Sequence, residues 1–417
     1  MPLRPSVAAR FGAFVLERYP FAAAAAAAAL EVLADTCGDL STADAVERTR
    51  SRLPEALRRA LPSPPGNLPE TTPAVAATAR WTAAVGELVD ACDGFLRRAA
   101  IETSLTNDER REVLRGMALT RATDNRLKAF FTGGEVRYGD ATFQGKGFRS
   151  LGQEAIYAAG IRLRRGDAYR VDGEWRGDVV APLIRDLGVT LAMKQDAEGE
   201  AVRMVLSSQM AKSGPPMHGK DLHFGDFASG ILPAAAPLTI GTMTIAGMAL
   251  AFARAGDGRV ALSFIGEGGS SLGEWHEAIN LCAARRLPAI FCVQNNQTAL
   301  STPVTDQSAV RVFADKAAGY GIPGITIDGT DADAIAAAFA WAAERARAGQ
   351  GPTLIETVAM RMCGHAHHDD MLYLGRDPQL GWDYPPPGDG YANRELYDYW
   401  AARDPIALYT AKLQAES

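Results

Sequence analysis

The sequence predicts an α/β protein: a parallel sheet with helices on both faces, preceded by an N-terminal helical extension. Three observations carry this reading. Strands are expected at 260–265, 289–293, 324–327 and 353–358, the first two predominantly apolar rather than alternating, which marks strands buried on both faces. Helix-like stretches alternate with them, at 109–131, 151–161, 179–193, 238–254, 272–285, 306–319, 331–348 and 393–414, the pattern from which parallel sheets are built. Residues 1–105 are helix-like instead, broken by the Pro-rich stretch Leu61-Pro-Ser-Pro-Pro-Gly66. The expected division is therefore 1–105 as a helical extension and 106–417 as the sheet domain with a C-terminal helical segment.

Within the extension, Pro20 and Gly38 read as start and stop of a helix over Phe21, the alanines 22–29 and Leu30. That apolar run is shorter than the roughly 20 residues that span a bilayer, so no membrane segment is expected. Trp81, Val85, Leu88, Val89 and Cys92 fall on one face of a later helix. Arg4 and Arg10 precede the first acid, Glu17, which faintly suits a transit peptide. The Ala- and Arg-rich, Lys-poor composition fits a bacterial cytoplasmic protein better, with a mitochondrial location the lesser alternative.

Hydrophobic residues make up 47% and charged residues 22% of the 417, an ordinary globular balance. The net charge of -6 gives no footing for a nucleic-acid or polyanion partner. The five cysteines, Cys37, Cys92, Cys282, Cys292 and Cys363, form no C-x-x-C pair, so a reducing compartment is expected.

The chemistry concentrates between 266 and 296. The strand 260–265 runs into Gly266-Glu267-Gly268, a helix follows, and the strand 289–293 ends at Gln294-Asn295-Asn296. Ligands of open parallel sheets sit beyond the carboxyl ends of strands, so Glu267 and Asn296 emerge at one rim. A carboxylate and an amide oxygen suit Mg²⁺, which commonly bridges protein oxygens to phosphate, and the glycines allow close backbone approach. A nicotinamide site fits worse, because Ser271 stands where the G-x-G-x-x-G fingerprint needs its third glycine. An ordinary strand–helix–strand unit with a Gly turn is the plain alternative. After the strand 353–358 comes Arg361-Met-Cys-Gly-His365-Ala-His-His-Asp-Asp370, at the same rim. His365, His367, His368 and the two aspartates are possible transition-metal ligands, although adjacent residues converge poorly on one ion; a solvated loop is the plainer expectation for His367 and His368.

The stretch 266–296 resembles the thiamine diphosphate signature written GDG…NN. From Asp108 to the C-terminus the chain resembles the alpha subunit of the decarboxylating component of 2-oxo acid dehydrogenase complexes. The resemblance implies a thiamine diphosphate-binding fold, with thiamine diphosphate and Mg²⁺ as cofactors. It places Glu267, Asn296 and the backbone carbonyl of Thr298 on the metal, Gly266, Gly268 and Gln294 at the diphosphate, and Leu238 beside the cofactor rings. His365 would meet the diphosphate and assist catalysis. Arg176, in Glu174-Trp175-Arg176-Gly177, is matched to a diphosphate-binding arginine, with the spacing to Arg185 off by one. Glu267 where Asp is commoner resembles the branched-chain members, a slight lean toward a branched-chain 2-oxo acid over pyruvate, with acetoin third. Ala366 stands where kinase-regulated relatives carry serine. His223 is a candidate substrate contact, in a region where the piece between Phe224 and Pro237 is longer than in relatives.

In the resembled family the glutamate that protonates the cofactor pyrimidine belongs to a beta subunit, and no equivalent domain is evident here. The implied assembly is α2β2, with a lipoyl acyltransferase core as acceptor and a 2-oxo acid as substrate. A non-catalytic scaffold that keeps the fold, or a stand-alone decarboxylase, are the other readings.

Overall fold

A computed structural model describes residues 5–64, 66–143, 147–195, 198–220, 222–378 and 380–416. It divides into two units, Met1–Leu105 and Thr106–Ser417. The first is built from helices α1 (Val7–Arg18), α2 (Ala23–Cys37), α3 (Ala43–Ala60) and α4 (Ala77–Thr103). Each presents one apolar stripe to a shared core of Phe11, Val15, Leu33, Val46, Leu53, Leu57, Leu88 and Leu96. Gly38, at φ +85°, closes α2 in a conformation that L side chains rarely adopt. The helical stretch Pro20–Cys37 is longer than the apolar run read from sequence. At 18 residues and mean hydropathy 1.3 it is long and apolar enough to cross a membrane by length and composition. One face of it, through Ala22, Ala26, Ala29, Leu33 and Cys37, is buried in this core.

The second unit starts at a capping box. Thr106 Oγ1 accepts from the Glu109 N–H, while a Glu109 carboxylate oxygen accepts from the Thr106 N–H, satisfying two orphan donors of α5 (Asn107–Thr132). Two short hairpins follow, β1 (Arg137–Tyr138) with β2 (Ala141–Thr142), and β3 (Arg170–Val171) with β4 (Glu174–Trp175). Then come β5 (Val179–Ala181), α6 (Leu187–Met193), α7 (Glu198–Gln209), α8 (Ile240–Ala255), β6 (Ala261–Gly266), α9 (Gly273–Ala284) and β7 (Ala289–Asn295). A hairpin of β8 (Thr298–Ala299) and β9 (Thr302–Pro303) leads to α10 (Val304–Gln307), β10 (Gly324–Asp328), α11 (Ala332–Arg347) and β11 (Thr353–Val358). The chain closes with α12 (Asp370–Leu374), α13 (Arg394–Ala401) and α14 (Pro405–Glu416).

The main sheet has five parallel strands in the order β10-β11-β7-β6-β5. Both its faces are apolar, as the uninterrupted hydrophobic runs require. Ala261, Ile265, Ala289, Phe291 and Val293 point into a core with Ile245, Trp275 and Ile279 of α8 and α9. On the opposite face Phe264 stacks on Phe339 of α11, with ring centroids 5.7 Å apart. Each fully buried ring of this size contributes about 1.5–3 kcal/mol of transfer free energy. Sequential strands run outward from β7 to β5 on one side, and β11 with β10 lie on the other. The β7–β11 boundary is thus the topological switch point, where ligands of such sheets bind.

Several elements differ from the sequence reading. The stretch 179–193, read as one helix, opens as edge strand β5 and becomes helical only at α6; three strand residues are too few to show a period. The stretches 151–161 and 306–319 are helical largely as 3-10 turns, Glu154–Gly160 and Phe313–Tyr320. The stretch 393–414 breaks between α13 and α14, just before Pro405, which cannot donate into a continuing helix. The long piece after Phe224 is ordered by the sheet edge. Val180 N–H donates to the Gly230 carbonyl at 2.8 Å and Leu232 N–H to the Val180 carbonyl at 2.9 Å. Lys194 pairs there with buried Asp226 at 2.7 Å.

Candidate active site

β6 and β7 are direct neighbours, with Gly266 opposite Gln294, so Glu267 and Asn296 leave the sheet side by side. The Asn296 N–H donates to Glu267 Oε2 at 3.3 Å. Beyond the end of β11, Ala359 N–H donates to the Asn295 carbonyl at 3.0 Å and Arg361 N–H to that of Asn296 at 3.2 Å. This extension carries Arg361 and His365 along the same rim.

Glu267 is 1% and Asn296 6% exposed, yet Glu267 Oε1 and Asn296 Oδ1 have no hydrogen-bond partner. Leaving a buried acceptor unmatched costs about 1–3 kcal/mol. Two such oxygens on adjacent strand ends are what a hard cation requires. Burial pushes the Glu267 carboxyl above the usual carboxylate range, against its own N–H, the Asn296 N–H, the nearby Gln307 side chain and the Arg361 charge, which favour the anion. A divalent cation would relieve both the unmatched lone pairs and the buried charge.

The outward aim of Asn296 Oδ1 is imposed by a relay of amides. Asn296 Nδ2 donates to Gln153 Oε1 at 3.0 Å, and Gln153 Nε2 donates to Gln294 Oε1 at 3.1 Å. Gln294 Nε2 donates to Asp186 Oδ1, while Asp186 Oδ2 accepts the Leu183 N–H at 2.6 Å. An ionised carboxylate only accepts. Asp186 therefore sets the polarity of the relay and turns the Asn296 carbonyl oxygen away from Gln153. Asn295, the first of the Asn pair, has a different part: its Nδ2 donates to buried Glu356 at 2.8 Å, tying β7 to β11.

Gln297 sits at φ +74°, outside the preferred region for a side-chain-bearing residue, and this folds the β8–β9 hairpin back over the rim. The Thr298 carbonyl accepts from Arg361 Nη1 at 3.3 Å, a long contact that leaves its second lone pair free. Gly268 makes room for this hairpin, since a Cβ there would lie 2.6 Å from the Ala299 Cβ. At Gly266 a Cβ would meet nothing within 4 Å, so that glycine faces open space. Leu238, just before α8, is 42% exposed and its Cδ1 would lie 3.4 Å from a Cβ at Gly269.

The arginine that reaches His365 is Arg185, whereas Arg176, expected at the diphosphate, pairs with Glu174. Arg176 follows the β3–β4 hairpin with its side chain more than half exposed, paired to Glu174 at 2.5 Å. Arg185 reaches His365 instead: its Nη2 lies 2.9 Å from His365 Nδ1 and 2.5 Å from the His365 carbonyl, and its Nη1 donates to the Arg149 carbonyl at 3.1 Å. Arginine only donates, so Nδ1 must accept and the His365 proton resides on Nε2. Burial, then Arg185 and Arg361, hold the His365 imidazole down at about 4, neutral at physiological pH. Among the described residues neither Arg185 nor buried Arg361 has an ion-pair partner. Burial, with Arg361 second, lowers Arg185 to about 10. Two unneutralised guanidiniums beside two unmatched oxygens form a site short of both a cation and an anion, which a metal diphosphate supplies together.

The half-buried Phe148 also reaches His365, with ring centroids 5.2 Å apart and near-perpendicular planes, and Arg185 lies 5.6 Å from its centroid. Phe148, Gln153, Asp186 and Arg361 were not singled out from sequence as site residues. Gln153 and Phe148 sit more than a hundred residues before the Asn pair, Gln153 inside the stretch 151–161 read as a helix and Phe148 just before it.

In and around the His-rich loop, among the described residues, no group of three or more His, Cys, Asp or Glu converges. His367 is buried rather than solvated, 5% exposed, with its ring against Phe131 at 5.2 Å and against Gly147. Burial, then Arg149 and Lys128, bring its pKa down to about 2. His368 is exposed. His223 is half-buried.

Residues 170–379 match the family described as Dehydrogenase E1 component. The 2-oxoisovalerate dehydrogenase subunit alpha of Bacillus subtilis is 34% identical over 277 residues, 66% of this chain and 77% of the relative. The pyruvate dehydrogenase E1 component subunit alpha of the same organism is 33% identical over 329 residues, 77% of this chain and 74% of the relative. The 3-methyl-2-oxobutanoate dehydrogenase subunit alpha of Mycobacterium tuberculosis is 41% identical over 182 residues, 44% of this chain and 45% of the relative. The family match spans the rim that carries Glu267, Asn296 and His365, and the chain belongs to the dehydrogenase E1 component family.

Proposed function

We propose that this chain is the alpha subunit of a 2-oxo acid dehydrogenase that uses thiamine diphosphate and Mg²⁺. It decarboxylates a 2-oxo acid oxidatively and leaves the acyl group on lipoamide. The single observation that carries the reading is the pair of buried, unmatched oxygens, Glu267 Oε1 and Asn296 Oδ1, aimed into a rim bearing Arg185, which has no ion-pair partner among the described residues. Glu267, Asn296 and the Thr298 carbonyl would hold the metal. Arg185, its two bound carbonyl and imidazole groups notwithstanding, brings the positive charge that a diphosphate needs. When bound, thiamine diphosphate supplies a nucleophilic carbon that adds to the 2-keto group and accepts the electrons left as CO₂ departs.

The rest is done by the chain's own groups. The relay from Asp186 holds Asn296 in one orientation before any ligand arrives. His365, neutral with its proton on Nε2, presents a donor to the open side and can give or take a proton at that atom. Arg185 fixes the imidazole from behind. A beta subunit bringing the pyrimidine-binding domain would complete the site in an α2β2 assembly, with a lipoyl acyltransferase as acceptor. The names of the relatives support both a branched-chain 2-oxo acid and pyruvate, and Glu267 leans the choice toward the former.

The test is co-expression with the cognate beta subunit and an acceptor-reduction assay with pyruvate, 2-oxoisovalerate and 2-oxobutyrate. Mg²⁺- and thiamine diphosphate-dependent turnover, lost in Asn296→Ala together with cofactor retention, is the expected result. A well-formed complex that holds no cofactor would overturn the site assignment. One that holds cofactor but turns over no acid would favour the scaffold reading.

A further inference from the structure

The segment that brings His365 to the rim, residues 361–370, directs its backbone donors into the chain. Met362 N–H donates to the Leu151 carbonyl at 3.0 Å, His367 N–H to that of Gly147 at 2.8 Å, and Asp369 N–H to that of Ala366 at 2.9 Å. On either side of His365, Gly364 N–H donates to Asp370 Oδ1 at 2.7 Å and Ala366 N–H to Asp369 Oδ2 at 3.2 Å. A loop bonded in this way is ordered by the chain itself, without a ligand to hold it.

Asp370 is the centre of that arrangement. While its Oδ1 takes the Gly364 N–H, its Oδ2 takes Lys128 Nζ and, at 3.2 Å, Arg149 Nη2. Lys128 stands near the end of α5, 242 positions from Asp370 in the sequence, and both side chains are 2% exposed. Water cannot replace either partner of so buried a pair, and removing one leaves the other charge unmatched. Asp377 also lies 3.7 Å from Lys128 Nζ, but its side chain is exposed and the contact is weak. Gly364 permits the close approach, since a Cβ there would lie 2.6 Å from the Asp370 nitrogen. The α5 ammonium is thereby linked, through one carboxylate, to the backbone next to His365.

We propose that Lys128 is a positioning residue for His365: through Asp370 it latches the loop 361–370 in its ordered form before metal or cofactor binds. The consequence for turnover rests on the functional reading given above, whereas the ordering of the loop does not. Arg149 holds the same carboxylate oxygen and shares the load. Of the two cations, Lys128 is the one that ties the loop to a helix.

The test is amide hydrogen–deuterium exchange over residues 361–370 in the α/β complex stripped of Mg²⁺ and thiamine diphosphate, with kcat and KM measured on the loaded complex. The wild-type loop should be protected without either ligand. Lys128→Met should lower that protection by about 10- to 100-fold, the range for losing a bond to a charged group. Its kcat should fall while KM and the melting temperature stay near wild type, and Lys128→Arg, which keeps the charge, should recover most of both losses. A wild-type loop that exchanges like unstructured chain would overturn the latch. So would unchanged protection in Lys128→Met, or a loss spread evenly over the whole chain. If Lys128→Met fails to assemble, Asp370→Asn, which keeps an acceptor for Gly364 but not the carboxylate charge, decides by the same exchange reading. A wild-type complex inactive on every acid would overturn the functional reading, and exchange would still decide the latch.

Discussion

Replacing Gln153 by Ala tests whether the amide relay prepares the metal site. In the wild type, turning Asn296 over would oppose its Oδ1 to Gln153 Oε1, now hydrogen-bonded to Nδ2 at 3.0 Å. Gln153 and Gln294 would have to turn as well, and Gln294 Oε1 would then face the Asp186 carboxylate that now accepts from Nε2. Losing that bond and opposing two acceptors costs about 1–3 kcal/mol, or roughly 5- to 150-fold in the population of the ligating orientation. Without Gln153, Asn296 turns freely, Asn296 Nδ2 loses its partner, and Gln294 Oε1 keeps only the Thr357 hydroxyl at 3.4 Å. Gln153→Ala should therefore weaken Mg²⁺-dependent thiamine diphosphate retention by about 10- to 100-fold, the usual range for a residue that orients a metal ligand. Gln153→Glu, which still accepts from Asn296 Nδ2, should lose less. Burial pushes Asp186 up to about 6. Below that pH a protonated Asp186 can donate to Gln294, the relay can reverse, and wild-type retention should weaken as well. The assay is a Mg²⁺ titration of cofactor retention in the assembled complex at pH 5.5 and 7.5, with melting followed in parallel. Wild-type Mg²⁺ affinity in a folded Gln153→Ala complex would refute the reasoning.

Other predictions concern the groups around this relay. Arg185→Met removes the second cause of the depressed His365 pKa, so the imidazole should titrate above about 4, toward its ordinary 6.5. The acid limb of kcat/KM, or the ring signal by NMR where activity is lost, should move to higher pH; a stationary limb would contradict the Arg185–His365 contact. His367 binds its proton in the folded state only near pH 2 against an ordinary 6.5, so below 6.5 the unfolded state takes up a proton that the folded state refuses. Stability should then fall with pH, by about 3 kcal/mol at pH 4.5 from this group alone. His367→Phe should lessen the fall in urea unfolding compared at pH 7 and 4.5, and an identical fall would count against the buried, neutral ring. Gly268→Ala places a Cβ 2.6 Å from that of Ala299 and 3.1 Å from Gln307 Oε1, which must shift the β8–β9 hairpin and the Thr298 carbonyl. Mg²⁺ should bind on the order of tenfold more weakly, with unchanged affinity the contrary result.

Much of the architecture is legible because the physics is local. Apolar runs such as 289–293 can be buried on both sides in a covered parallel sheet, and a strand that ends in Gly or Asn delivers its next residue to the rim. Glu267 and Asn296 could be placed together on that ground alone. What escaped the sequence depends on three-dimensional contact. Arg176 and Arg185 lie nine residues apart, and the β3–β4 hairpin, which directs Arg176 outward to Glu174, tells them apart. The Gln153 relay spans Asn296, Gln153, Gln294 and Asp186, whose spacings in sequence follow no period. His367 looked solvated because its neighbours are polar. It is buried because Gly147 has no side chain to hold it off and Phe131 offers an apolar surface.

The account turns on one point, the meeting of Glu267 and Asn296 at a cation. A crystal structure of the α/β complex grown with Mn²⁺ and thiamine diphosphate, with anomalous diffraction recorded for the metal, measures it directly. The predicted result is a single strong anomalous peak bridging Glu267 Oε1 and Asn296 Oδ1, with the Thr298 carbonyl and diphosphate oxygens completing the shell. Cofactor density at the rim without that peak, or a peak that neither oxygen touches, would contradict it.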